Sequence, residues 1–247
     1  MFPYRDDNPT VLTPVVTVGL IILNVLAWVF VQGLGSPAWL ASSVCKLGLI
    51  PGAVLGAVKP GAAVPLGPDF QCVITAKPQW LTVFSSMFMH GGWIHLIGNM
   101  WFLWLFGNNI EDAMGHGRFV VFYLVCGVAA AAAQTLVDPR SVVPMVGASG
   151  AISGVLGGYL LLYPRVRIHT LLFLGFFVTT VALPAYLMLG YWILLQLLSG
   201  ATGMEGGVAA WAHVGGFAAG LLLIKLFAQD EFLQRRRVPA MEFRSWR

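Results

Sequence analysis

Residues 11–33 contain no charged side chain. About 20 apolar residues suffice to carry a helix across a bilayer. The run is too long for the core of a signal peptide, and no clear small-residue cleavage site follows it, so it reads as a retained span. The rest of the chain has the same character: 58% of residues are hydrophobic and 10% are charged, where a soluble domain carries about 25% charged residues. Six spans of about 20 residues would use roughly half of the chain. The expectation is an all-α membrane protein, a six-transmembrane-helix bundle forming one domain.

Breaks in the apolar pattern mark the spans. The second is expected over 92–106, stopping at Gly107-Asn108-Asn109 before Glu111 and Asp112. The third runs 118–137 and ends at Asp138-Pro139-Arg140. The fourth runs 147–163, ahead of Pro164. Residues 168–199 are too long for one crossing. They divide at Pro184 into an interfacial or re-entrant stretch, 168–181, and a fifth span, 182–198; two full spans is the alternative. The sixth span covers 208–227. Proline within a span is tolerated where neighbours satisfy the freed backbone.

Charge sets the orientation. With both termini cytoplasmic, Arg5, Arg118, Arg165, Arg167, Lys225 and five tail arginines lie inside, against Lys46, Lys59, Lys77 and Arg140 outside, a ten-to-four split. That agrees with the positive-inside rule. Residues 1–10 are then a cytoplasmic N-terminal segment, 11–228 the membrane domain with a long outer loop at 34–84, and 229–247 a basic cytoplasmic tail. The net charge of +4 gathers at loop edges and at Arg235-Arg236-Arg237, which marks topology and gives no nucleic-acid stripe. Of three cysteines, Cys126 lies in an apolar span as a packing residue. Cys45 and Cys72 share the outer loop, as a disulfide or as two free thiols. The bridge needs an oxidising compartment.

Polar groups inside spans are costly and usually functional. Ser149 sits in Gly147-Ala148-Ser149-Gly150, and His213 follows 64 residues later in Ala212-His213-Val214-Gly215-Gly216. In the proposed topology both begin spans on the outer side, and a serine with a histidine base is a nucleophile pair. A packing reading competes: Gly150, Gly154 and Gly158 form a small-residue stripe, as do Gly216 and Gly220, and such stripes bring helices together. The two readings reinforce one another, since close approach is what a Ser149–His213 hydrogen bond needs. His95 and Asn99 lie one turn apart on one helix face. They can donate to an oxyanion or serve as interhelical polar glue. His90, five residues earlier, is expected to stabilise its loop. A His-Glu-x-x-His zinc motif and a Gly-x-Gly-Asp aspartyl motif are both missing. No carboxylate or thiol pairs with His90, His95 and His116 at metal-binding spacing. No metal and no organic cofactor is expected.

Together, His95-x-x-x-Asn99, Gly147-Ala148-Ser149-Gly150, Ala212-His213-x-x-Gly216-x-x-x-Gly220 and Gly107-x-x-x-Glu111-x-x-x-Gly115 resemble the rhomboid family of intramembrane serine proteases. The resemblance runs from the first span to the sixth. It implies a rhomboid bundle in which Ser149 attacks the scissile carbonyl and His213 takes and returns its proton. His95, Asn99 and the Ser149 backbone N–H would line the oxyanion hole. Substrates would be transmembrane protein segments, cut near their outer ends, with membrane lipids as surroundings. A non-catalytic relative that binds or escorts such clients, or a small transporter, are the other classes. The opening residues and the length resemble prokaryotic members, implying a plasma membrane. One branch of the family stacks its histidine on an aromatic residue four positions after the serine; here that residue is Ser153, so His213 must be oriented from elsewhere. The 168–181 stretch is longer than a minimal connection and precedes the fifth span, the family's proposed lateral gate.

Overall fold

The computed structural model describes residues 2–66, 70–74, 79–175, 177–203 and 209–235. In chain order its elements are β1 (Phe2–Asp6), α1 (Val15–Phe30), α2 (Pro37–Leu47), α3 (Pro51–Val54), β2 (Ala63–Pro65), β3 (Gln71–Val73), α4 (Thr82–Ser85) and α5 (Trp93–Phe102). A π-turn over Leu103–Gly107 leads to α6 (Asn108–Met114), α7 (His116–Val137), α8 (Ser149–Leu162), β4 (Arg167–Leu174), β5 (Phe177–Pro184), α9 (Ala185–Thr202), α10 (Ala210–Phe227) and α11 (Asp230–Arg235).

The chain is mostly helical but not all-α. Among the described residues, α7, α9 and α10 are long and apolar enough to cross a membrane, and α1 and α8 are shorter apolar helices. The expected N-terminal segment is a strand: β1 pairs antiparallel with β4, which pairs with β5, giving the order β1-β4-β5. The stretch expected to be interfacial or re-entrant is therefore a hairpin. Gly175 turns at φ +65°, and β5 is rich in β-branched Val178, Thr179, Thr180 and Val181, which favour a pleated surface. Its tip exposes Phe173 and Phe177. The helix in the expected fifth span, α9, starts later than expected, at Ala185, and runs to Thr202.

The helix of the expected second span does not stop at Gly107-Asn108-Asn109. The π-turn carries it through to Met114, and Glu111 and Asp112, expected in a loop, are buried on it. Their partners explain the burial. Glu111 accepts the Val16 and Thr17 backbone N–H groups at 2.9 and 2.8 Å and the Thr17 hydroxyl at 2.7 Å. Asp112 accepts those of Leu12 and Val11 at 2.7 and 3.1 Å. The first N–H groups of a helix lack intrahelical acceptors; Glu111 meets that need at the start of α1 and its positive dipole end, while Asp112 holds the residues just before it.

The loop expected to face outward is also structured. It holds α2, α3, α4 and the β2–β3 ladder, and the Cys45 and Cys72 sulfurs are bonded to one another. Leu49 and Met145 exchange two backbone hydrogen bonds, and the Gly147 N–H donates to the Ser86 carbonyl at 2.9 Å. These bonds hold the loop against the approach to α8. The segment after α10 is the short helix α11, with the Gln229 amide on the Met114 carbonyl. The tail beyond residue 235, with Arg236 and Arg237, lies outside the described residues, as do Lys77 and Val208.

Contacts sort the molecule into two ends. Residues 2–12, α6, Tyr159, β4 and Gln229 meet at one. The disulfide loop, His90 and the start of α8 meet at the other. Between them α10 lies in close contact with α7 and α8. A methyl group added to Gly216 or Gly220 would collide with the carbonyl oxygens of Gly150 or Gly154. The seam is thus closed to near backbone contact, as small-residue interfaces permit.

Candidate active site

Ser149 is the first residue of α8 and His213 lies in the first turn of α10. Because the seam joins those helices at the same end, the two side chains meet: Ser149 Oγ is 2.8 Å from His213 Nε2. The other ring nitrogen, Nδ1, is 2.7 Å from Gln196 Oε1 on α9. An amide oxygen can only accept, so Nδ1 carries the ring proton and Nε2 offers its lone pair to the Ser149 hydroxyl. That tautomer is the one a general base requires.

His95, on α5, has the opposite assignment. The Gly91 backbone N–H donates to its Nδ1 at 3.3 Å, which leaves Nε2 as the N–H donor. A Cβ placed on Gly147 would fall 2.8 Å from that Nε2 and 3.4 Å from Ser149 Oγ. The His95 donor therefore converges on the same spot as the serine, and only glycine, here at φ +131°, leaves the space open. Asn99, one turn further along α5, is buried, and its Nδ2 has no hydrogen-bond partner among the described residues. Ser149 lies at a helix N-terminus, where unpaired N–H groups and the helix dipole favour negative charge.

His90 is buried and sits behind His95, ring centroids 5.2 Å apart and edge to face. The Gln32 side chain brackets its backbone, accepting the N–H at 2.8 Å and donating to the carbonyl at 2.7 Å. This fastens the end of α1 to the turn before α5. Gly150, Gly216 and Gly220 lie in the α8–α10 seam. Glu111 lies at the opposite end of the molecule, where it also pairs with His116. Cys126 is buried and free. Among the described residues no three His, Cys, Asp or Glu side chains gather to hold a metal ion.

The Ser153 hydroxyl donates to the Ser149 carbonyl at 2.6 Å. The His213 ring is flanked from α9, by Gln196 and by Trp192, whose ring centroid is 5.8 Å away. Sequence reasoning missed both. Gln196 had a signal, since it interrupts Leu194-Leu195 and Leu197-Leu198 within an apolar helix. Gln134 was missed too; its side-chain oxygen accepts the Ala212 N–H at 3.2 Å and braces the start of α10.

An activated hydroxyl, a neutral imidazole base and a convergent N–H donor can carry out acyl transfer through a tetrahedral intermediate. Comparison with known proteins gives the family. Residues 77–230 match the Rhomboid domain family. RHOMBOID-like protein 4 of Arabidopsis thaliana is 32% identical over 157 residues, 64% of this chain and 36% of that protein. Rhomboid protease GluP of Bacillus subtilis is 36% identical over 87 residues, 35% of this chain and 17% of that protein. Rhomboid protein 1, mitochondrial, of Saccharomyces cerevisiae is 32% identical over 174 residues, 66% of this chain and 46% of that protein. The matched region thus spans less than half the length of each of these relatives. The chain is an integral membrane protein, and it belongs to the rhomboid family.

Proposed function

We propose that this protein is an intramembrane serine endopeptidase that hydrolyses peptide bonds in or near transmembrane segments of other membrane proteins. The observation that carries the reading is the 2.8 Å contact of Ser149 Oγ with His213 Nε2, in a ring whose other nitrogen is committed to Gln196. The Ser149 oxygen attacks the scissile carbonyl carbon while its proton passes to Nε2, and the carbonyl electron pair moves onto oxygen. His95 Nε2–H, the Asn99 amide and the Ser149 backbone N–H receive that charge. The unpartnered Asn99 Nδ2 suits such a role, because a buried donor without an acceptor is costly. As the C–N bond breaks, the imidazolium returns its proton to the leaving amine. Water, activated by the same nitrogen, then releases the acyl group from Ser149. Gly147, Gly150, Gly216 and Gly220 keep the groups in reach.

We also propose six membrane crossings: α1, the α5–π–α6 rod, α7, α8, α9 and α10. Both termini are cytoplasmic, with 11–228 as the membrane domain and 229–247 as a cytoplasmic tail. The disulfide supports the outward assignment of the Ser149 end, because Cys45–Cys72 bonding belongs to an oxidising compartment. The relatives come from plants, yeast and bacteria and favour no particular membrane.

The test is cleavage of a designed transmembrane substrate in liposomes by the wild type, Ser149→Ala and His213→Ala, with folding followed by thermal denaturation. Cleavage by the wild type alone, with both variants folded, is expected. Cleavage retained by folded Ser149→Ala overturns the assignment. No cleavage together with no fluorophosphonate labelling of Ser149 leaves a client-binding, non-catalytic member of the family.

A further inference from the structure

We infer that Gln196 is the positioning residue of the site, the group that orients His213 and fixes its proton on Nδ1; this rests on the protease reading above. Trp192 and Gln196 lie four apart and so share one face of α9. One places its ring beside the imidazole, the other its oxygen on Nδ1 at 2.7 Å. Trp192 also reaches Phe217 one turn along α10, ring centroids 6.1 Å apart. Without an acceptor at Nδ1 the proton could equally reside on Nε2, where it would point at the serine and abolish the base.

The surroundings make this contact specific. Leu194, Leu195, Leu197 and Leu198 are exposed along the same stretch of α9, so Gln196 is a polar side chain in an apolar helix. Such a group is costly unless hydrogen-bonded. The buried residues of α9 are Ala185, Met188 and Leu189, all in its first half. Beyond them α9 meets α10 through the Trp192 ring, the Gln196–His213 bond and Gly200, which lies against the Trp211 ring. An amide fixes the tautomer without bringing in a second charge that burial would penalise. Ser153, at the position where one branch of the family carries an aromatic support, bonds its own helix. The orienting duty therefore falls to the neighbouring helix, and the base is aligned when the second half of α9 is seated.

The test compares wild type, Gln196→Leu, Gln196→Met and Gln196→Glu for the rate of fluorophosphonate labelling and for kcat and KM on a transmembrane substrate. Thermal denaturation checks folding, and Leu195→Ala serves as an α9 control away from His213. The apolar replacements should slow labelling and lower kcat about tenfold, as expected for the loss of one hydrogen bond of this kind, with KM changed by less than about twofold. Gln196→Glu keeps an acceptor oxygen at the same reach and should restore labelling to within about threefold of wild type. Leu195→Ala should label at the wild-type rate. Wild-type labelling in folded Gln196→Leu and Gln196→Met, or a Gln196→Glu variant as slow as they are, overturns the role of Gln196 and leaves the dyad intact. Wild type that does not label, or Ser149→Ala that does, overturns the protease reading itself.

Discussion

The α8–α10 seam and helix α9 approach His213 from opposite sides and are built on opposite plans. Along the seam, glycines of one helix face backbone carbonyls of the other, and Gly157 likewise has no room beside the Phe217 carbonyl. Along α9 a methyl on Gly190 would meet nothing within 4 Å and one on Gly200 only the Trp211 side chain, and the leucines of its second half are exposed. The difference separates two requirements. The serine–histidine distance needs a rigid frame, and backbone packed on backbone has few ways to relax. Admitting a substrate segment between helices needs one wall that can yield. On the proposed function, nucleophile and base sit on the first and the orientation of the base hangs on the second.

The largest effect should come from breaking the rigid side. Gly216→Ala with Gly220→Ala puts two methyl groups against the Gly150 and Gly154 carbonyls. Overpacking costs about 2 kcal/mol at each such site, so the pair should lose about 4 kcal/mol, seen as a large drop in Tm together with loss of cleavage. A double variant that melts and cleaves like wild type would mean that the seam is not close-packed. Next comes the loop fastened to the approach of α8. Opening Cys45–Cys72, whose sequence separation is 27, should cost about 3 kcal/mol by loop entropy. Tm should fall with reductant, and Cys45→Ala/Cys72→Ala should start at the lowered value and not respond. Gly190→Ala tests the loose side: Tm should rise or stay level, by about 0.5 kcal/mol from helix propensity. A fall in Tm would place α9 against a wall that its surroundings do not suggest.

These contrasts were only partly legible in the amino-acid sequence. Ser149, His213, His95 and Asn99 stand out because polar residues among glycines in apolar runs have few reasons to exist there, and span order brings both reactive groups to one end. The glycine stripes likewise announced the seam. Gln196 is legible as a polar break in an apolar helix, but not its partner, which is 17 residues away on another helix. The end of the second span's helix was misread because Glu111 and Asp112 look like loop residues. Only the N-terminus of α1, about 95 residues earlier in the chain, makes their burial affordable. The sequence reading of 168–181 as an interfacial or re-entrant stretch weighs its apolarity above the β-branched run Val178–Val181 and the Gly175 turn. The pairing of the hairpin with β1 is a contact between the first residues and residues 168–171, which no short window contains.

The smallest effect lies at the far end, where β1 steadies the hairpin that leads into α9. Asp7 accepts from Arg5 and meets His169 of β4 at 2.9 Å. Slight burial pushes its carboxyl upward, but the hydrogen bond and charge of His169, and then of Arg5, outweigh that and hold it below the usual carboxylate value. A carboxyl whose folded value is depressed stabilises the fold above its unfolded pKa of about 4, and that contribution disappears as pH falls through the folded value. The groups are exposed, so the stabilisation is under about 0.5 kcal/mol. Asp7→Asn should therefore lower Tm slightly at pH 7 and match wild type at pH 2. If it also slows fluorophosphonate labelling at pH 7, the sheet contributes to seating α9. If labelling is unchanged while Tm shifts, the alignment of His213 depends on α9 itself. A Tm for Asp7→Asn above that of wild type at pH 7 would show that β1 is held to β4 by its backbone ladder alone, with the carboxylate working against it.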